Sequence, residues 1–166
     1  MVPFPLFKSS LFRSSCWLLA TFKFIFFVSP AAGQPKNIKQ VWELEIKAWS
    51  FAKAGKVKNY EALFHNQYVG WPCGYPQPAT KSTIGDWVRN IRDNQAKLTY
   101  DLKFESAEDY GKIVVIVYST QIATEYPDGR TWGMPGRFKI THTWMRVKKS
   151  WIAIGGMCGL PESSIQ

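Results

Sequence analysis

Residues 137–159 read RFKITHTWMRVKKSWIAIGGMCG, and this stretch decides the fold. Phe138, Ile140, His142 and Trp144 recur at period two, with Lys139, Thr141 and Thr143 between them, which is the pattern of a strand buried on one face. Lys148, Lys149 and Ser150 form a polar turn. The return strand, residues 151–157, is apolar on both sides and carries Gly155 and Gly156, where a neighbouring backbone or a ligand gains close approach. The result is a hairpin with a single imidazole, His142, on an otherwise apolar face. A histidine in a cleft exchanges a proton near its ordinary pKa of about 6.5, so His142 is the first candidate for acid–base chemistry.

Upstream of the hairpin the strand pattern continues. Leu98, Tyr100, Leu102 and Phe104 alternate with Thr99, Asp101, Lys103 and Glu105, giving one apolar and one polar side. A turn at residues 109–111 leads into IVVIVY at residues 113–118, which is apolar on both faces, and the strand runs on to a second turn, YPDG, at residues 126–129. Residues 132–136, WGMPG, interrupt the pattern and predict a bulge or rim loop. Tyr118, at the end of the apolar run, and Asp101 are candidate partners for His142, although Asp101 falls on the polar side of its strand.

The first half of the chain is helical. Asn37 is placed to cap a helix bearing Ile38, Trp42, Ile46, Trp49 and Ala52 at helical spacing, ended by Gly55. Residues 58–64 predict a second helix with Tyr60, Leu63 and Phe64 inward, followed by an extended piece over residues 65–71. His65 stands where a cation would favour the helix terminus. Three prolines, a glycine and a cysteine make residues 72–78 a loop of the kind that rims a cleft. Ser82 or Thr83 starts a third helix, with Thr83 and Asp86 as a capping box and Ile84, Trp87, Val88 and Ile91 on its buried face. Helices followed by four long antiparallel strands predict an α+β fold with the helices on one side of a bent sheet. Three helices cover one face only, so the two-sided apolarity of the strands predicts a homodimer through the outer sheet face.

The 166 residues suffice for one domain after removal of a leader. Residues 1–33 combine Lys8 and Arg13, an apolar run over residues 16–28 and the small-residue segment SPAAG, which predicts a secretory signal peptide cut after Ala31 or Gly33 and a secreted or periplasmic protein. That apolar run is shorter than the ~20 residues a membrane span requires, so no stable membrane association is expected after cleavage. The remaining domain, residues 34–166, carries 18 Lys and Arg against 12 Asp and Glu, a net charge of +6. These charges are dispersed rather than clustered, which argues against a nucleic-acid groove. Cys73 and Cys158 are the cysteines left in this domain; an exported chain permits a bridge between them, but sequence does not place them within bonding distance. No phosphate-binding loop, nucleotide fingerprint or metal-ligand spacing occurs, so neither a metal nor a cofactor is expected.

The helical opening VWELEIKAWSFAKAGKVKNYEALF, the segment HNQYVGWP and the hairpin THTWMRVKKSWIAIGGM resemble the nuclear transport factor 2-like superfamily, in particular its SnoaL-like and ketosteroid isomerase-like members. The resemblance covers residues 37–160. It implies a cone-shaped, curved antiparallel sheet packed against three N-terminal helices, with a pocket closed by the first helix and the inward residues of the last strands facing the hollow. It does not decide among isomerases, dehydratases, cyclases, transport adaptors and assembly domains, since one fold hosts many functions. Enzymes of the superfamily keep an aspartate in an apolar cone; here no aspartate has that context, and His142 occupies a pocket-facing position of the hairpin.

Three expectations follow. The first is an exported protein binding a small aromatic or ring-shaped apolar molecule, with Trp42, Trp49, His65, Tyr68, Trp71, Trp87, Trp132, Trp144 and Met157 around the ligand. The second is an isomerase, dehydratase or cyclase in which His142 is the general acid or base, with Asp101 or Tyr118 as partner. The third is a non-catalytic dimeric interaction module whose cone is filled by its own side chains.

Overall fold

The structure is a computed structural model and describes residues 35–133 and 135–161. The expected signal peptide and its cleavage site lie outside the described residues. Helix α1, Lys36–Lys53, turns Ile38, Val41, Glu45, Ala48, Trp49 and Ala52 inward. This face is rotated from the expected one: Ile46 is 44% exposed and Trp42 is half-buried. Both stripes contain Ile38, Trp49 and Ala52, but the buried one takes Val41, Glu45 and Ala48 in place of Trp42 and Ile46, and so includes a carboxylate that apolar spacing does not select. Asn37 lies inside the first turn rather than at the cap, and its amide donates to Asp109 Oδ2 at 2.9 Å, tying the helix start to the sheet. The helix ends as expected at Gly55, whose φ of 63° lets its N–H reach Ala52 O while Lys56 N–H reaches Phe51 O.

Helix α2 is one short segment, Val57–Glu61, and strand β1, Phe64–Trp71, begins earlier than expected. His65 is consequently a strand residue, not a helix cap. Its Nδ1 accepts the Gln67 backbone N–H at 3.1 Å. After the proline-rich loop, the two-residue strand β2, Ala79–Thr80, leads through turns to α3, Asp86–Asp93. The predicted capping box is absent: Thr83 Oγ1 accepts the Thr80 backbone N–H and the Asp86 carboxylate is engaged by Arg89. An arginine one turn on offers the carboxylate two charged donors, and it takes them in preference to a backbone N–H.

Strands β3, Lys97–Asp109, and β4, Ile113–Glu125, form the long outer ladder. Residues 132–136 are not simply loop, because Thr131–Gly133 forms a short strand, β5, on the edge of β4. Strands β6, Phe138–Val147, and β7, Ser150–Gly159, make the predicted hairpin, with Lys148 at φ 56° in its two-residue turn. The sheet order is β2-β1-β7-β6-β4-β3, with β5 on β4, and β1 runs parallel to β7 while the other pairs are antiparallel. This is the α+β architecture expected, with helices against one face of a bent sheet. Phe138, Ile140 and Trp144 are all buried on the helix side, so the period-two reading of the hairpin gives their direction correctly. Burial of each such side chain supplies on the order of 1.5–3 kcal/mol, and the inward face of β6 thereby locks the strand register. Among the described residues, no helix is long and apolar enough to cross a membrane.

Candidate functional site

Register delivers the central group. His142 pairs with Ile116 of β4 on one side and Gly156 of β7 on the other, so its ring stands on the concave face between two strands. A Cβ at Gly156 would clash with the edge of the imidazole, and the absence of a side chain there is what lets the ring lie flat against the sheet. Helix α1 crosses above it and lowers Glu45 onto the same spot. The Glu45 side chain is 1% exposed and the His142 side chain 18%, so the carboxylate is sealed and the imidazole is not.

The two groups form a hydrogen-bonded pair. His142 Nδ1 lies 2.8 Å from Glu45 Oε1 and 3.0 Å from Oε2, and Trp144 Nε1 donates to Oε1 at 2.6 Å. A carboxylate only accepts, so the proton of this contact sits on Nδ1, and in the neutral ring Nε2 is then an acceptor. Among the described residues Nε2 has no hydrogen-bond partner, and it is the nitrogen of the pair nearest Gly156 and the cavity. Behind the pair, Trp49 Nε1 donates to Tyr118 Oη at 2.9 Å. Burial, and next the charge of Glu45, push the Tyr118 hydroxyl well above its ordinary value, only partly opposed by the Trp49 bond. Tyr118 therefore stays a neutral phenol that braces the floor. Tyr60 and Tyr68 are raised for the same leading reason, burial.

These side chains form the floor of a cavity of about 520 Å³, a size suited to a small organic molecule. Of the residues predicted from sequence, Tyr118, His142 and Trp144 lie at its floor, and Trp49, Tyr68 and Trp87 line its walls. Trp71, Trp132 and Met157 stand at the mouth, 46%, 42% and 66% exposed. Trp49 meets Trp87 edge to face, with ring centroids 5.7 Å apart, and Trp132 stacks on Phe138 at 6.0 Å. The mouth is fastened by a disulfide between Cys73 and Cys158, which sequence alone left open, and by Trp71 Nε1 donating to Tyr75 O at 2.8 Å. The disulfide holds the proline-rich loop beside the end of β7, and the Trp71 bond folds the loop back onto the end of β1.

Three predicted residues stand elsewhere. Asp101 is on the opposite face of the sheet, where Arg137 Nη1 donates to it at 2.6 Å and the Gln121 backbone N–H at 2.8 Å; these bonds, the Arg137 one first, hold its carboxyl below the usual range. It sits on the polar side of β3, with the sheet between it and His142, so Glu45 rather than Asp101 is the carboxylate beside the imidazole. His65 points along β1 toward its own turn and does not line the cavity. Trp42 packs behind the floor against Phe104 and Tyr118, with centroids 5.5 and 5.6 Å apart.

Glu45 is the residue that sequence reasoning missed. One signal was available: Val41 four residues before it, and Ala48 and Trp49 three and four after it, are all apolar, so Glu45 interrupts a buried stripe. Among the described residues, no group of three or more His, Cys, Asp or Glu is arranged to hold a metal.

No family model matches the sequence, and no curated protein matches it. Solved structures match the fold. A nuclear transport factor 2-like protein of unknown function in nutrient uptake from Rhodospirillum rubrum is 22% identical with a TM-score of 0.59, over 72% of this chain and 97% of that one. A ketosteroid isomerase-like protein from Erwinia carotovora atroseptica is 9% identical with a TM-score of 0.62, over 75% of this chain and 96% of that one. A Catenulispora acidiphila protein solved in complex with S-DNPA is 13% identical with a TM-score of 0.62, over 75% and 93% of the two chains. The chain has the nuclear transport factor 2-like fold, as the resemblance implied.

Proposed function

We propose that this is a small-molecule binding protein that takes a flat, ring-shaped apolar compound into the cavity and hydrogen-bonds it at His142 Nε2. The carrying observation is the cavity of about 520 Å³ with aromatic walls and His142 at its floor. Aromatic walls reward ring stacking, and the Nε2 acceptor orients the ligand. A fold neighbour solved with a small molecule lends support of the same kind. The reading includes export: the leader-like residues 1–33 and the Cys73–Cys158 bridge both suit an oxidising compartment. It also includes a homodimer through the outer sheet face, supported by Ile113, Val115 and Val117, which remain half-buried there. A monomeric mass by light scattering at micromolar concentration would remove the dimer.

The test of binding is a panel of one- to three-ring aromatic and steroid-like compounds added to the purified protein. Several should raise the melting temperature and quench the wall tryptophans. Indifference to the whole panel sinks the proposal.

A second reading, acid–base catalysis of the isomerase or dehydratase type, is favoured by one specific observation. Glu45 holds His142 Nδ1 at 2.8 Å, which orients Nε2 and stabilises the imidazolium that proton abstraction would create. Its mark would be exchange of the proton next to the carbonyl of a bound ketone into deuterated solvent, abolished in His142→Ala. Exchange at the uncatalysed rate leaves binding alone.

A further inference from the structure

The charge of the cavity differs from that of the protein around it. The chain carries a formal net charge of +9, yet among the described residues no lysine or arginine lines the cavity. Its ionisable lining consists of Glu45, Asp86, His142 and phenols. Asp86, near the mouth, has the Arg89 guanidinium at 2.7 Å, a cation it shares with Glu61. Among the described residues Glu45 has no such cation: its ion-pairing partner is His142, and the neutral Trp144 indole donates a further hydrogen bond to it. With a neutral imidazole, the floor is a sealed carboxylate whose negative charge is relayed through the ring to Nε2. A buried carboxylate is costly without a positive partner, and nothing in the lining provides a permanent one.

Taking as its basis the binding reading above, we propose that the ligand supplies that charge: it is a protonated amine carried on an apolar ring skeleton, with its N–H donated to His142 Nε2 in line with Glu45. The three ligand charges fare differently at this floor. A carboxylate would bring a second negative charge into a low-dielectric space with no cation to receive it. An alcohol or phenol donates a neutral, weaker hydrogen bond to Nε2 and leaves the Glu45 charge unbalanced. An ammonium donates the same hydrogen bond and neutralises the pair. The walls favour it too, because the faces of Trp49, Trp87 and Tyr68 are electron-rich and attract a desolvated cation. One aromatic box therefore selects for charge as well as for shape.

The experiment is calorimetric titration of the full protein at neutral pH with four compounds on one skeleton: 2-(aminomethyl)naphthalene, 2-(hydroxymethyl)naphthalene, 2-methylnaphthalene and 2-naphthoate. The amine should bind about tenfold more tightly than the alcohol, and the carboxylate most weakly. Glu45→Gln, which keeps the shape of the floor and removes its charge, should bring amine and alcohol to within about threefold. The unmodified protein decides the matter even if that variant does not fold. Equal binding of alcohol and amine, or binding of the carboxylate as tight as either, overturns the amine proposal while leaving the ring-binding reading intact. Silence of all four compounds overturns both.

Discussion

Two carboxylates on opposite faces of one sheet are each held by a hydrogen bond under 3 Å, yet they have different work. On the concave side Glu45 is sealed beneath α1 and bonded to His142 and Trp144. On the convex side Asp101 is 57% exposed and bonded to Arg137. Water screens the second pair and rehydrates either partner if the other is lost, so the bond is worth little net. The Glu45 side chain is 1% exposed, so its bonds are not readily replaced by water and its charge is weakly screened from what enters the cavity. Similar contacts thus yield surface decoration in one place and a functional floor in the other; burial makes the difference.

Removing the inner partner tests this contrast most severely. Glu45→Ala should lower the free energy of unfolding by about 3–5 kcal/mol in denaturant titration, because it orphans the Trp144 indole and leaves His142 without its anchor. A loss below about 1 kcal/mol would mean that the two faces do not differ in kind. Gly156→Ala should cost less, about 1–3 kcal/mol, since its methyl displaces the imidazole rather than removing it. A nitrogen NMR spectrum in which the His142 Nδ1 signal is unchanged in that variant would show that the glycine is not what seats the ring. The smallest effect is expected outside. Asp101→Asn should change stability by less than about 1 kcal/mol at neutral pH. Arg137 and the Gln121 N–H depress the carboxyl's pKa in the folded protein. Its contribution is therefore present above the ordinary carboxylate range and disappears as pH falls through the lowered value. The variant should flatten that part of the acid limb, and an unaltered acid limb would show the bond to be worthless.

Much of the fold is legible in the chain because period-two alternation is a local property. Phe138, Ile140, His142 and Trp144 announce their common face from four positions of one strand, and the structure places all four on the concave side. Helix α1 is harder to read, since a helix with apolar residues nearly all round has no unique inward face until it packs. Spacing favours Ile46 as an inward residue, yet it lies outside, while Glu45, polar by type, lies at the centre. The expectation of Asn37 and Thr83 as caps failed for a related reason: each side chain found a partner elsewhere, Asn37 at Asp109 in the sheet and Thr83 at the backbone of Thr80.

By itself the sequence determined the order of helices and strands, the inward direction of His142 and the aromatic character of the walls, all of which follow from spacing between near neighbours. It took the folded molecule to show which carboxylate meets the imidazole, that Cys73 bonds Cys158, and that among the described residues no lysine or arginine lines the cavity. Glu45 and His142 are 97 residues apart, and their contact depends on how a helix rotates over a sheet, a quantity set by the packing of every residue between them.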